Sequence, residues 1–132
     1  MPPVQIIPIM KIVIADDSSL LRERIKNLLN SIDTASIVYE AENGVEALQL
    51  IIEKEPDLVI LDIRMPEMNG IEVLNKISEL GLELKVCMLT SYPYKQYREK
   101  CFAAGASYFF DKNQSMDGLT ELVIALSNEK KG

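Results

Sequence analysis

The chain of 132 residues contains no histidine and no tryptophan. Without an imidazole there is no histidine-ligated zinc site and no histidine general base. Cysteine is almost as scarce. Cys87 and Cys101 are the two present, without metal-ligand spacing and each within an apolar stretch. Both are expected to be reduced, packed thiols of a reducing compartment. Positive charge is in deficit, with 14 Lys and Arg against 20 Asp and Glu and a net charge of -6. Direct nucleic-acid binding needs clustered cations and is not expected. No apolar run approaches the ~18 residues of a membrane span, so no membrane association is expected either. The apolar lead from Met1 to Met10 carries Pro2, Pro3 and Pro8 but has neither a positive start nor a small-residue cleavage site. It is therefore not read as a signal peptide, and a cytoplasmic location is expected. There is no solenoid-type repeat, no low-complexity tract, and no glycine-rich loop followed by Lys and Ser or Thr of the nucleotide-binding kind.

What is present is a regular alternation. Short apolar runs occupy residues 11–15, 36–41, 58–61, 85–89 and 108–110. They are rich in β-branched or aromatic residues and read as strands. Three of them are almost wholly apolar, as a strand is when helices cover both faces of a parallel sheet. Between them lie segments of helical period. Leu21, Ile25, Leu28, Leu29 and Ile32 line a first helix from about Ser19 to Ser31. Val45, Leu48, Ile51 and Ile52 line a second, ended by Pro56; Ile71, Leu74 and Ile77 a third, stopped near Gly81. Tyr97, Cys101 and Ala104 mark a more polar fourth, closed by Gly105. Leu119, Leu122, Val123 and Leu126 mark a fifth, with Ser115 as a candidate N-cap. The fold class is α/β, a (βα)5 doubly wound sheet of five parallel strands with right-handed crossovers and helices on both faces. The expected divisions are a short arm over 1–9, one domain over 10–128 and a tail over 129–132.

In such a sheet ligands bind beyond the carboxyl ends of the strands, near a switch point in strand order. Asp16 and Asp17 follow the first strand, Asp62 the third, Thr90 and Ser91 the fourth, Asp111 and Lys112 the fifth. The carboxylates of Asp16, Asp17 and Asp62, the Thr90 hydroxyl and the Lys112 ammonium are thereby expected at one edge. Close carboxylates repel unless a cation joins them. An all-oxygen donor set favours a hard ion such as Mg2+. A carboxylate beside it can act as a nucleophile toward phosphorus, with Lys and a hydroxyl neutralising the phosphoryl oxygens. Each residue also has a plainer role. Asp16 and Asp17 could cap the first helix, Thr90 the fourth, and Lys112 could be a solvated surface charge. Jointly, at successive strand ends, they are hard to explain that way.

The ordered set of segments Ile12 to Ser18, Ala41 to Leu48, Asp57 to Pro66, Met68-Asn69-Gly70, Leu89-Thr90-Ser91 and Gly105-Ala106-Ser107 with Lys112 resembles the receiver domain of bacterial two-component response regulators. The single-domain chemotaxis receivers are the nearest shape. The resemblance runs from about Met10 to Asn128. It implies the flavodoxin-like strand order 2-1-3-4-5 and Mg2+-dependent phosphoryl transfer from a histidine kinase or phosphotransfer protein to Asp62. Asp17 would then hold the metal directly, Asp16 mainly through water, with Asp62 and the backbone carbonyl of Arg64 as further ligands. Thr90 would bond the phosphoryl group and shift on activation, and Lys112 would pair with Asp62 or its phosphate. The domain would not be a conventional enzyme, although it would catalyse its own phosphorylation and dephosphorylation.

Some positions depart from the family pattern. Asn113 follows Lys112 where the family often has proline, so a trans bond is expected there. Phe109 occupies the rotating aromatic position, where tyrosine is common, and would switch by packing alone. Arg64 and Tyr92 lie where the family tunes phosphoryl lifetime, and both are bulky. Three tyrosines, Tyr92, Tyr94 and Tyr97, crowd the loop after the fourth strand, and tyrosine is favoured at interfaces. The output face is therefore placed on helix 4, strand 5 and helix 5, with Tyr94, Tyr97 and Tyr108. Its partners would be a downstream protein target and a second copy in a phosphorylation-promoted homodimer. The competing reading is a receiver-fold interaction module that works without phosphate. A haloacid-dehalogenase-type phosphatase would need an acid where Arg64 stands. A flavodoxin would have its flavin phosphate repelled by Asp16 and Asp17.

Overall fold

A computed structural model describes residues 9–32, 36–114 and 116–131. Five strands and five helices alternate along the chain. They are β1 (Met10–Ala15), α1 (Ser19–Asn30), β2 (Ser36–Ala41), α2 (Gly44–Lys54), β3 (Leu58–Leu61), α3 (Gly70–Glu79), β4 (Lys85–Thr90), α4 (Lys95–Ala103), β5 (Tyr108–Asp111) and α5 (Asp117–Lys131). The strands form one parallel sheet in the order β2-β1-β3-β4-β5. The expected architecture and strand order are both observed.

Strand alternation builds two cores from one sheet, because successive side chains leave opposite faces. On one face Val13, Ala15, Val59, Leu61, Val86 and Met88 meet Ala47 and Ile51 of α2, Val73 and Leu74 of α3, and Cys101 of α4. On the other, Ile12, Ile14, Leu58, Ile60, Cys87 and Leu89 meet Ile25 and Leu29 of α1, and Leu119 and Val123 of α5. All four residues of β3 are buried. Deleting such a side chain, as in Ile60→Ala, should cost about 2–5 kcal/mol. This is why β3 carries no polar residue until Asp62.

The helix starts are set by local chemistry. Ser18 caps α1, its Oγ accepting from the amide of Leu21 at 3.2 Å. Asn43 caps α2, and Asn69 with Glu72 forms a reciprocal capping box on α3. The capping role considered for Asp16 and Asp17 is thus filled by Ser18. Thr90 likewise does not cap α4, whose N-cap is Tyr94 with no side-chain bond. Two glycines set the spacing around β3. A Cβ on Gly70 would lie 2.1 Å from the carbonyl oxygen of Asp62, and one on Gly44 would lie 1.9 Å from that of Met68. Only glycine lets the start of α3 sit against the backbone that carries Asp62.

Some boundaries differ from expectation. Thr90 and Asp111 close β4 and β5 rather than following them, because they pair with each other in the β4–β5 register. Residues 129–131, expected as a tail, continue α5. Among the described residues no peptide bond is cis, in line with a trans bond after Lys112. The expected cap at Ser115 and most of the expected N-terminal arm lie outside the described residues.

Candidate functional site at the carboxyl edge of the sheet

Asp62 leaves the central strand, flanked by the ends of β1 and β4. Its amide donates to Ala15 at 3.0 Å, and the amide of Asp16 donates to Ala41 at 3.0 Å. The sheet's ladder therefore runs one residue past β1 and β3 and holds both acidic residues rigidly. Lys112 is anchored in the same way, its amide donating to Thr90 at 2.8 Å. Asp16, Asp17 and Asp62 each offer a carboxylate oxygen, and these lie within 4.8 Å of one another. Lys112 Nζ lies 2.5 Å from Asp16 Oδ2 and 3.1 Å from Asp62 Oδ2. The expected convergence of three acids and a lysine is thus observed.

The three acids differ in what remains free on them. Asp16 is buried, and both its oxygens are engaged: Oδ1 accepts from the amide of Ser18 at 2.8 Å and Oδ2 faces Lys112. Asp17 is exposed. Asp62 is 6% exposed, and its Oδ1 is buried without a hydrogen-bond partner among the described residues. An orphaned anionic oxygen is costly to bury, so a ligand is expected to complete it. The Asp62 carboxyl is pushed up to about 6, first by burial and then by the charge of Asp16, with Lys112 opposing. Burial works against the Lys112 ammonium, but its bonds to Asp16 and the charges of both acids outweigh this and hold it charged. Oxygen donors alone, one unsatisfied and clustered under like-charge repulsion, fit a hard divalent cation such as Mg2+.

Thr90 is fully buried, and its hydroxyl accepts from the amide of Tyr92 at 2.9 Å. It is thus tied to its own loop. Arg64 stacks on the Tyr92 ring, 3.8 Å from guanidinium carbon to ring centroid, and donates to the Tyr97 hydroxyl at 3.3 Å. Tyr94 lies between Tyr92 and Tyr97 at centroid distances of 6.5 and 6.2 Å and is 56% exposed. Phe109 packs on the α4 side, 6.4 Å from Phe102, with the Arg98 guanidinium near both rings. Tyr108 faces the opposite layer, against the core shared with α1 and α5. Tyr97 packs with the layer of α2, α3 and α4 and Tyr108 with that of α1 and α5, so the two lie on either side of the edge strand β5. Sequence reasoning missed Arg22, which donates to the backbone carbonyl of Asp16 at 2.5 Å and to Glu40 of β2 at 3.1 Å. Its place one helical turn after the Ser18 cap was the available signal.

The pattern described as the response regulator receiver domain matches residues 12–124, and the chain belongs to that family. It is a receiver domain of two-component signalling proteins. It is 34% identical over 119 residues to the chemotaxis protein CheY of Halobacterium salinarum, covering 87% of this chain and 98% of that protein. It is also 34% identical over 117 residues to the transcriptional regulatory protein LnrK of Bacillus subtilis, covering 89% of this chain and 53% of the relative. The chain spans about half the length of the transcriptional regulators it matches, 54% and 50% in two further cases. Among solved structures, a DNA-binding response regulator of the LuxR family from Staphylococcus aureus superposes with a TM-score of 0.80 at 32% identity, covering 89% of this chain and 98% of that one. The CheY of Borrelia burgdorferi, solved with CheX, beryllium fluoride and magnesium, superposes with a TM-score of 0.80 at 27% identity, covering 89% and 88%. No described helix is long and apolar enough to cross a membrane.

Proposed function

We propose that this receiver accepts a phosphoryl group on Asp62 from the phosphohistidine of a histidine kinase or phosphotransfer protein, with Mg2+ bound at the acidic edge. The observation that carries the reading is the buried, unpartnered Oδ1 of Asp62, beside two further carboxylates and Lys112. Asp17, Asp62 and the Arg64 carbonyl would hold the ion. Asp16, whose oxygens are already engaged, would act through water. When bound, the ion supplies the positive charge that lets three acids and a phosphoryl group share one site. One oxygen of the Asp62 carboxylate attacks phosphorus, the bond from phosphorus to the donor's imidazole nitrogen breaks, and that nitrogen takes up a proton. Lys112 stays on Asp62 Oδ2 and neutralises charge building on the phosphoryl oxygens. Thr90 exchanges its bond to the Tyr92 amide for one to the phosphoryl group, and the β4–α4 loop follows.

Residues 10–128 are the response regulatory unit in this reading, and it works in the cytoplasm. The loop movement and repacking of Phe109 would alter the α4–β5–α5 face, including Tyr94 and Tyr97, for a downstream protein or a second copy. Tyr108 would contribute from the α5 side. Beryllium fluoride, a phosphoryl mimic, tests the site directly. It should raise the melting temperature of the protein only when Mg2+ is present, and not that of D62N. An equal rise in D62N would overturn the assignment of Asp62.

A further inference from the structure

Arg22 joins three elements at the edge of the acidic cluster. Its side chain is 13% exposed. One guanidinium nitrogen donates to the backbone carbonyl of Asp16 at 2.5 Å, and Nε donates to Glu40 Oε1 on β2 at 3.1 Å. Glu40 is itself held by Lys26 at 3.0 Å, a second residue of α1. The hydrogen bond from Lys26, and after it that from Arg22, hold the Glu40 carboxyl below the usual range against the effect of burial, so it stays an anion that anchors the guanidinium.

The carbonyl that Arg22 grips belongs to the peptide joining Asp16 to Asp17. Asp16 is then bonded at every polar atom. Its amide donates to Ala41, its carbonyl accepts from Arg22, Oδ1 accepts from Ser18, and Oδ2 pairs with Lys112. Asp17 is held through its two flanking peptides: the Asp16 carbonyl before it accepts from Arg22, and the Ser18 amide after it donates to Asp16 Oδ1. We infer that Arg22 is a positioning residue of the cation site: its fork, braced on Glu40, fixes the Asp16–Asp17 peptide so that the Asp17 carboxylate is held ready beside Asp62. A planar fork can serve two acceptors at fixed angles, whereas a lysine ammonium at that reach lacks the geometry. The inference rests on the reading of this edge as a Mg2+ site. Residues that orient first ligands typically alter metal affinity by roughly 10- to 100-fold.

The test is Mg2+ titration of the full chain followed by amide NMR, with urea unfolding of each variant in chelator to establish that it is folded. R22M and R22K should both weaken Mg2+ binding by roughly 10-fold or more. K26M removes the other cation on Glu40 without touching Asp16, and should bind Mg2+ within about twofold of the parent. Wild-type affinity in R22M, restored affinity in R22K, or an equal loss in K26M would each overturn the positioning role. The last result would mean that any loosening of α1 from β2 has the same effect. If the parent chain itself binds no Mg2+, the reading of the site fails and the inference goes with it, an outcome distinct from the other three.

Discussion

Replacing Asp62 should make the metal-free protein more stable, because in the absence of a cation its charge is buried at a net cost. The Asp62 carboxyl rises from 3.8 to about 6 on folding, burial and Asp16 together outweighing Lys112. One pKa unit corresponds to about 1.4 kcal/mol, so holding the ionised form at pH 7 costs about 3 kcal/mol before water at the open rim is considered. Discounted for that screening, D62N should gain about 1–2 kcal/mol at pH 7. Because the folded state binds the proton more tightly, this group favours folding fully below about pH 4 and loses that contribution as pH rises through about 6. The gap between wild type and D62N should therefore open between pH 4 and 6. Urea unfolding in chelator, followed by circular dichroism at pH 4, 5, 6 and 7, measures it. Excess Mg2+ should reverse the order, since an ion at 100 times its dissociation constant adds about 2.7 kcal/mol to the form that binds it. A D62N protein less stable than wild type at pH 7 in chelator would show that pairing with Lys112 dominates, and would refute the reasoning.

Three further outcomes are expected. K112M leaves Asp16 and Asp62 facing each other without their shared cation, and should lower apo stability at pH 7 by about 3 kcal/mol, read from the urea midpoint. Replacing Arg64 and Tyr92 together by alanine removes the stacked pair beside Asp62 and should speed loss of the phosphoryl group several-fold, followed by the decay of phosphoprotein; an unchanged rate would mean that the stack does not exclude water. Y94A removes the most exposed tyrosine of the β4–α4 loop and should weaken partner binding or self-association while leaving phosphorylation intact, as measured by ultracentrifugation with and without phosphodonor.

The fold was legible in the sequence because its determinants are local and repeated. The uninterrupted run Leu58-Val59-Ile60-Leu61 marks a strand covered on both faces, and the polar residue that follows it falls at the sheet's edge. The ends of four strands bring the cluster together in the sequence pattern alone. What the sequence left open depends on pairing across elements. Thr90 and Asp111 belong to strands because they are register partners, and no local pattern carries that information. Asp16 and Asp17 are chemically identical neighbours. The turn between β1 and the Ser18 cap decides that one is buried and fully bonded and the other exposed. Arg22 and Glu40 meet only because α1 crosses back over β2. The alternation that puts Phe109 on the α4 side puts Tyr108 on the other, a consequence of strand period.

The most direct test of the central claim is intact-mass spectrometry after incubation with a small phosphodonor. The account predicts one phosphate-sized gain that requires Mg2+ and is absent from D62N. A folded, Mg2+-binding protein that shows no gain, or a gain that persists in D62N, would contradict it.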